Sequence, residues 1–177
     1  MDLATDPHIL SIGEALMDIV VPADSPIAAV EIPGGSPANV AMTLGRLGRN
    51  VGLQTWLAHD ERGDILEEHF TASHVVITEE SFGADHTPTA LAKLTEKGAA
   101  TYTFDLDWCP NSPIAVSTQA RIVHSGSIAA VIEPGAHAVL DAMVTARQHA
   151  IITYDPNARP ALMGTPEEAL ATVNKFI

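Results

Sequence analysis

The sequence predicts an α/β fold in which helices cover a parallel sheet. Apolar, β-prone runs at residues 8–13, 51–58, 121–125 and 149–155 alternate with segments of helical periodicity. Such alternation is typical of a parallel sheet with helices on its faces. A glycine pair at residues 34–35 leads directly into the first helix. Two further alternating runs around a glycine-bearing turn predict a β-hairpin outside this sheet.

The first predicted strand covers residues 8–13, and its largely apolar composition suits a strand that is buried on both faces. The stretch that follows, residues 18–32, is β-prone but is interrupted by Pro22 and Pro26. Because proline cannot donate a hydrogen bond to a strand ladder, this stretch is predicted as an edge strand or as part of a lid.

The β-hairpin is predicted from two alternating runs, residues 89–95 and 100–105, which flank a turn at residues 96–99. An isolated pair of strands is only marginally stable in water, so the hairpin needs a partner surface. Residues 18–32 are the expected partner, and together they would form a small sheet that stands over a site.

The helix predicted at residues 37–47 has clear signals at both ends. Ser36 is a favourable N-cap, Pro37 suits the first helical position, and Gly48 suits the left-handed residue that follows a helix. Apolar side chains at helical spacing predict the face that packs on the core. These side chains are Val40, Leu44 and Leu47.

The remaining elements continue the alternation of strands and helices. They are a strand at 51–58, a helix at 64–73, a strand at 121–125, a helix at 136–148 and a strand at 149–155. A last helix is predicted to begin after Thr165, because Thr165 and Glu168 have the spacing of a capping box and Pro166 takes the first helical position.

Composition disfavours several classes of protein. The 177 residues are 46% hydrophobic and 18% charged, as in a globular chain with a sizeable core. A net charge of −13, with 9 Lys and Arg and none in a run, disfavours nucleic acid as a partner. Apolar stretches are too short for a membrane span, and residues 1–6 lack the features of a signal peptide. The single cysteine, Cys109, suits a reducing compartment, so we expect a cytoplasmic protein with no membrane partner.

The sequence lacks the motifs of the common metal and nucleotide sites. The 8 histidines are scattered, without a His-x-x-x-His pair or a Cys/His cluster, so no metal site is predicted. A Walker-type phosphate loop is absent, and no Gly-x-Gly-x-x-Gly follows the first strand. A dinucleotide-binding function therefore has little support.

Four stretches resemble, in the right order, the PfkB-type carbohydrate kinases, which form the ribokinase/fructokinase family. Residues 33–41 (PGGSPANVA) resemble the first signature of that family in the form of its fructokinase branch. The others are residues 13–18 (GEALMD), residues 88–90 (PTA) and residues 155–160 (DPNARP). They resemble the first strand with its acidic end, the entry to the second part of the lid, and a strand end near the middle of the family's chain.

The resemblance implies a ribokinase-like, Rossmann-type three-layer sandwich with a small β-sheet lid formed by about residues 18–33 and 88–107. It also implies ATP-dependent phosphoryl transfer to a sugar hydroxyl, with Mg²⁺ bridging the phosphate oxygens. A fructokinase-like sugar substrate is expected, and exposed lid strands favour a homodimer formed through the lid.

Family members continue well past this length. Their second signature, of the type Asp-Thr-x-Gly-Ala-Gly-Asp, supplies the anion hole and the catalytic base, and this sequence does not contain it. The resemblance thus implies that residues 1–177 are the N-terminal, sugar-binding part of the kinase domain and that the ATP-binding part lies outside them. A non-catalytic sugar-binding or assembly module is the alternative.

The same resemblance assigns sugar contacts to five residues. They are Asp18, Gly34, Gly35, Asn39 and Glu133. On the residues alone, Asp18 could equally be a solvated turn aspartate, and Glu133 could be an acid that stabilises the start of a helix. Asn39 carries a donor and an acceptor on one side chain, close to the free backbone N–H groups of a helix start.

A second group of polar residues is spaced by two along the chain: Asp155, Asn157 and Arg159. The prolines that follow Asp155 and Arg159 favour extended backbone, in which alternate residues share a face. The resemblance places these residues near the transferring phosphate, where Arg159 would stabilise its charge. The alternative is a structural Asp–Arg pair that closes a loop.

Overall fold

The computed structural model describes residues 6–21, 29–94, 100–111 and 113–177. Within these residues the strands form two separate sheets. The main sheet has five strands in the order β5-β4-β1-β8-β9, and every neighbouring pair is parallel. Its strands are β1 (Ile9–Ile12), β4 (Val51–Gln54), β5 (Val75–Ile77), β8 (Ile122–Gly126) and β9 (Ile151–Asp155).

The second sheet has four strands in the order β3-β2-β6-β7. Its strands are β2 (Leu16–Val21), β3 (Val30–Gly34), β6 (Thr89–Leu94) and β7 (Ala100–Asp105). The predicted hairpin is confirmed, because β6 and β7 pair antiparallel, and so is its partner, because β2 pairs with β6. The hairpin turn at residues 96–99 and the prolines at positions 22 and 26 lie outside the described residues.

Five α-helices occur in the described ranges, and helices pack on both faces of the main sheet. They are α1 (Ser36–Arg46), α2 (Glu61–Thr71), α3 (Gly135–Ala146), α4 (Pro160–Met163) and α5 (Pro166–Phe176). Side chains alternate between the faces of a strand. Ile9 of β1 packs in the cluster with α1 and α2, whereas Leu10 and Ile12 pack in the cluster with α3. The predicted α/β layering is therefore confirmed.

Helix α1 begins one residue earlier than predicted, and its predicted cap is wrong. Ser36 is the first helical residue, while Gly35 is the N-cap, with φ 107°, and makes no side-chain capping bond. Gly48 has the expected left-handed conformation, with φ 73°. The predicted core face is wrong in part: Ala38, Ala41 and Gly45 are buried and Leu47 is 68% exposed, but Leu44 packs partly buried against the core as predicted.

Small side chains bring α1 close to its neighbours, which explains this difference. A Cβ atom on Gly45 would lie 2.2 Å from the Ser73 carbonyl oxygen, so only glycine fits at that crossing. Val40 lines an open cavity instead, and Leu44 lines the same cavity while also packing against the core.

The other predicted helices are confirmed with small shifts in their ends. Thr165 and Glu168 form the expected reciprocal capping box at the start of α5, with Pro166 in its first turn. In α2, Leu66 and Phe70 are fully buried as predicted, but Ile65 is 41% exposed. The sequence did not predict β5 or α4. Within the described ranges no helix is long and apolar enough to cross a membrane.

Candidate functional site

A cavity of about 850 Å³ lies between the main sheet and the second sheet. Its floor contains the turns that follow β1 and β8, and one wall is the first two turns of α1. The second sheet contributes Leu16, Asp18, Ala90 and Phe104 as a cover on the opposite side. The cavity lies beyond the carboxyl ends of parallel strands, where open α/β sheets bind their ligands.

The turn between β3 and α1 brings backbone into close contact with this cavity. Gly35 lines the cavity, and its φ of 107° is one that side-chain-bearing residues rarely adopt. A Cβ atom there would lie 2.2 Å from the carbonyl oxygen of Glu14. Gly34 is buried behind the cavity wall, and a Cβ atom there would lie 2.2 Å from Oδ2 of Asp18. Gly35 is therefore required by space, because its neighbour is backbone, whereas a side chain at position 34 would displace the Asp18 carboxylate.

Asp18 lies on β2, half-buried, with its side chain in the cavity. Burial raises the pKa of the Asp18 carboxyl, and the positive charge of Arg159 across the cavity opposes that rise. Asn39, in the first turn of α1, also lines the cavity and is exposed to it. The structure thus brings Asp18, Gly35 and Asn39 together, as the sequence predicted.

The segment after β9 does not have the predicted extended form. Asn157 has a left-handed φ of 34°, so Asp155, Asn157 and Arg159 do not share one face. Asp155 points back into its own turn, where Oδ1 accepts a hydrogen bond from the Asn157 backbone N–H at 2.9 Å. Asn157 and Arg159 line the cavity, whereas Asp155 does not.

The alternative of an Asp–Arg pair is also not what the structure shows. The Arg159 guanidinium donates from Nη1 to Oδ1 of Asn157 at 2.7 Å and to the Asn157 carbonyl oxygen at 2.8 Å. Arg159 is the single cation among the described residues that line the cavity. It is therefore placed to meet a negatively charged group of a ligand.

Glu133 is not brought to the cavity. It is exposed, and its Oε2 accepts a hydrogen bond from the backbone N–H of His137 in the first turn of α3, at 3.2 Å. This contact favours the interpretation of Glu133 as an acid that stabilises a helix start.

Among the charged residues that line the cavity, sequence analysis missed Glu14, which follows β1. It is 4% exposed and lies at the floor of the cavity. Its Oε1 accepts from the Ser36 backbone N–H at 3.2 Å, and its Oε2 accepts from the Ala129 backbone N–H at 3.1 Å. The available signal in the sequence was a single charged residue that directly follows the glycine at the end of an apolar strand.

The side chains of this cavity suit a ligand that carries several hydroxyl groups and a negatively charged group at one end. Asp18 offers carboxylate oxygens to hydroxyl donors, and Asn39 offers a donor and an acceptor. Arg159 offers a fixed positive charge. In the part of the chain that the structure describes, no three His, Cys, Asp or Glu side chains gather into a metal-binding cluster.

This fold is that of a family of carbohydrate kinases. The family model described as "pfkB family carbohydrate kinase" matches residues 6–176, and the chain belongs to that family.

Among curated relatives, the chain is 33% identical over 176 residues to a probable fructokinase-4 of Arabidopsis thaliana, covering 91% of this chain and 54% of that protein. The crystal structure of a fructokinase from Xylella fastidiosa superimposes with a TM-score of 0.81 at 28% identity, over 94% of this chain and 57% of that one. A second structure from Xylella fastidiosa, described as fructokinase with bound ATP, gives a TM-score of 0.80 at 27% identity, over 96% and 58% of the two chains. The chain thus spans about half the length of the curated relatives that it matches.

Proposed function

We propose that this chain is the sugar-binding part of a fructokinase-like carbohydrate kinase. The observation that carries the proposal is the cavity itself, in which Asp18, Asn39 and Arg159 converge at the carboxyl ends of the main sheet. The family and the fructokinase relatives support a sugar as the ligand.

In this proposal each residue has a distinct task. Asp18 and Asn39 hydrogen-bond sugar hydroxyls and orient the one that is phosphorylated, which lowers the entropic part of the barrier. The Gly35 backbone forms the floor against which the sugar lies. The second sheet acts as a lid that excludes water and so prevents simple hydrolysis.

ATP is the proposed phosphoryl donor, and the similar fructokinase structure with bound ATP supports this choice. Bound ATP supplies a transferable γ-phosphoryl group. Arg159, with Asn157 beside it, would stabilise the charge on that group, and a cation at the cavity edge fits this task. The base that accepts the hydroxyl proton is proposed to lie outside these 177 residues. Mg²⁺ belongs to the same proposal, but no cluster in the described ranges fits it, so we assign it no ligand from this chain.

Two further properties belong to the proposal. Val30, Ile32 and Tyr102 are about half exposed, and the strand register places them on the same face of the second sheet as Asp18. We propose that this face pairs with a second copy of the chain. Sedimentation velocity tests this proposal, and the mass of a monomer would contradict it.

A cytoplasmic location is also proposed. The chain has one cysteine, which is exposed, so it cannot form an intrachain disulfide, and this suits a reducing compartment.

Titration calorimetry with fructose, ribose and 2-keto-3-deoxygluconate tests the proposed ligand. We expect fructose to bind and to raise the unfolding temperature. Absence of heat and of stabilisation with all three sugars would remove the proposal.

The alternative function, a sugar-binding module with no catalysis, also predicts that fructose binds. A coupled assay of ATP consumption and the reading frame after Ile177 separate the two. A Gly-Ala-Gly-Asp sequence downstream would support the kinase, and its absence together with no turnover would support the module.

Asn39→Ala is expected to weaken sugar binding several-fold, because one neutral hydrogen bond contributes about 0.5–1.5 kcal/mol. Calorimetry with fructose measures the change. Asn174→Ala removes a similar exposed amide on α5, away from the cavity, and should leave the affinity unchanged. Equal affinities for the two variants would remove Asn39 from the binding site.

A further inference from the structure

Glu14 is the one ionisable side chain among the buried residues of the described chain. No cation pairs with it in the described ranges, although Arg159 lines the same cavity. A buried charge without a partner is costly, so its position needs a reason. The proposed function assigns it none.

The two carboxylate oxygens of Glu14 connect opposite parts of the cavity. Oε1 accepts from Ser36, the first residue of α1, and Oε2 accepts from Ala129, in the turn after β8. Helix α1 has no side-chain cap of its own, so Glu14 provides from outside the helix the acceptor that a helix start lacks. A carboxylate is also favoured there by the helix dipole.

The contacts continue from Glu14 to the other end of the cavity. Ser127 lies beside the Glu14 carboxyl and lowers its pKa, and its Oγ accepts from Nδ2 of Asn157 at 3.5 Å. Asn157 in turn accepts from Arg159. Ser127 and Asn157 both have left-handed backbone, with φ 55° and φ 34°. Such conformations persist only where surrounding contacts hold them.

We propose that Glu14 is a positioning residue whose carboxylate holds the start of α1 and the turn after β8 in one fixed arrangement. This inference rests on the proposed function, because the start of α1 carries proposed sugar contacts and the turn after β8 adjoins the proposed phosphate contacts. In this role Glu14 acts through these two elements.

The protonation state of Glu14 gives a direct way to observe these contacts. Burial raises the pKa of the Glu14 carboxyl to about 7, and its hydrogen bonds with backbone N–H groups and Ser127 oppose that rise. Asp18 and Arg159 are the other charged groups that line the cavity. The ionised carboxylate makes the stronger bonds to the amides of Ser36 and Ala129. The two amides should therefore respond together when Glu14 ionises.

The test is a pH titration of the backbone amide resonances by NMR, between pH 5 and pH 9. In the wild-type chain we expect the Ser36 and Ala129 amides to shift with a common midpoint near the pKa of about 7. In Glu14→Gln that shared transition should disappear. Glu168→Gln is the matched control, since Glu168 also accepts a backbone N–H at a helix start, far along the chain, and it should leave the transition unchanged.

Two results would overturn the inference: no shared transition in the wild-type chain, or the same transition in Glu14→Gln. The wild-type titration decides the matter even if the variant does not fold, and it needs no sugar. Calorimetry at pH 8 adds a second readout, in which Glu14→Gln should weaken fructose binding about tenfold. A wild-type chain that shows the shared transition but binds no sugar would contradict the proposed function and leave the positioning role standing.

Discussion

Asp18→Asn is expected to weaken sugar binding by about 10- to 100-fold, because hydrogen bonds to a charged group contribute about 1.5–3 kcal/mol. The substitution keeps the size of the side chain but removes the negative charge and one acceptor. Titration calorimetry with fructose at pH 8 measures the loss. Burial raises the pKa of Asp18, so affinity should also fall as the pH is lowered and the carboxyl takes up a proton.

Two further variants make this result specific. Asp64→Asn changes an exposed aspartate on α2 outside the cavity and should leave affinity unchanged. Gly34→Ala leaves Asp18 in the chain but places a Cβ atom 2.2 Å from its Oδ2, so the carboxylate must move. We expect a partial loss of affinity from this variant. Wild-type affinity in Asp18→Asn would remove Asp18 from the proposed sugar contacts.

Gly35→Ala is expected to cost about 3 kcal/mol or more of the free energy of unfolding. Two effects combine at this position. The φ of 107° strains any residue with a side chain, and the new Cβ atom would overlap the Glu14 carbonyl oxygen at 2.2 Å. Because that oxygen belongs to the backbone, the overlap cannot be relieved by rotating a side chain. Urea denaturation measures the change.

Gly48→Ala is the matched control, since Gly48 also has a left-handed φ, of 73°, but a Cβ atom there meets nothing within 4 Å. It should cost only the conformational strain, about 1 kcal/mol. If Gly35→Ala lowers the free energy of unfolding no more than Gly48→Ala does, the close approach of the Glu14 backbone does not require a glycine at position 35.

The local signals in the sequence predicted the elements well, but hydrophobicity could not tell what each apolar side chain contacts. Val40 and Leu44 have the spacing of core residues, yet both line the cavity, and only Leu44 also packs against the core beside the buried Ala38 and Ala41. The same spacing is compatible with either role, so it could not separate the two residues.

Other differences came from contacts that local sequence does not encode. Glu14 acts on partners 22 and 115 residues away, so no pattern in its own neighbourhood could reveal its hydrogen bonds. The proline that follows Asp155 favoured an extended strand end, but asparagine tolerates left-handed backbone, and Asn157 adopts it. Asp18 and Asn39 line one cavity, and the resemblance to the family is what supplied that long-range arrangement; their contact with a sugar stays a prediction.

The packing of α1 gives its residues different roles. Ala38, Ala41 and Gly45 are buried against neighbouring elements, and Val40 lines the cavity without joining a core cluster. Leu44 does both, since it lines the cavity and also packs partly buried against the core. A library that varies Val40 alone would therefore change the shape of the cavity without opening a void in the interior.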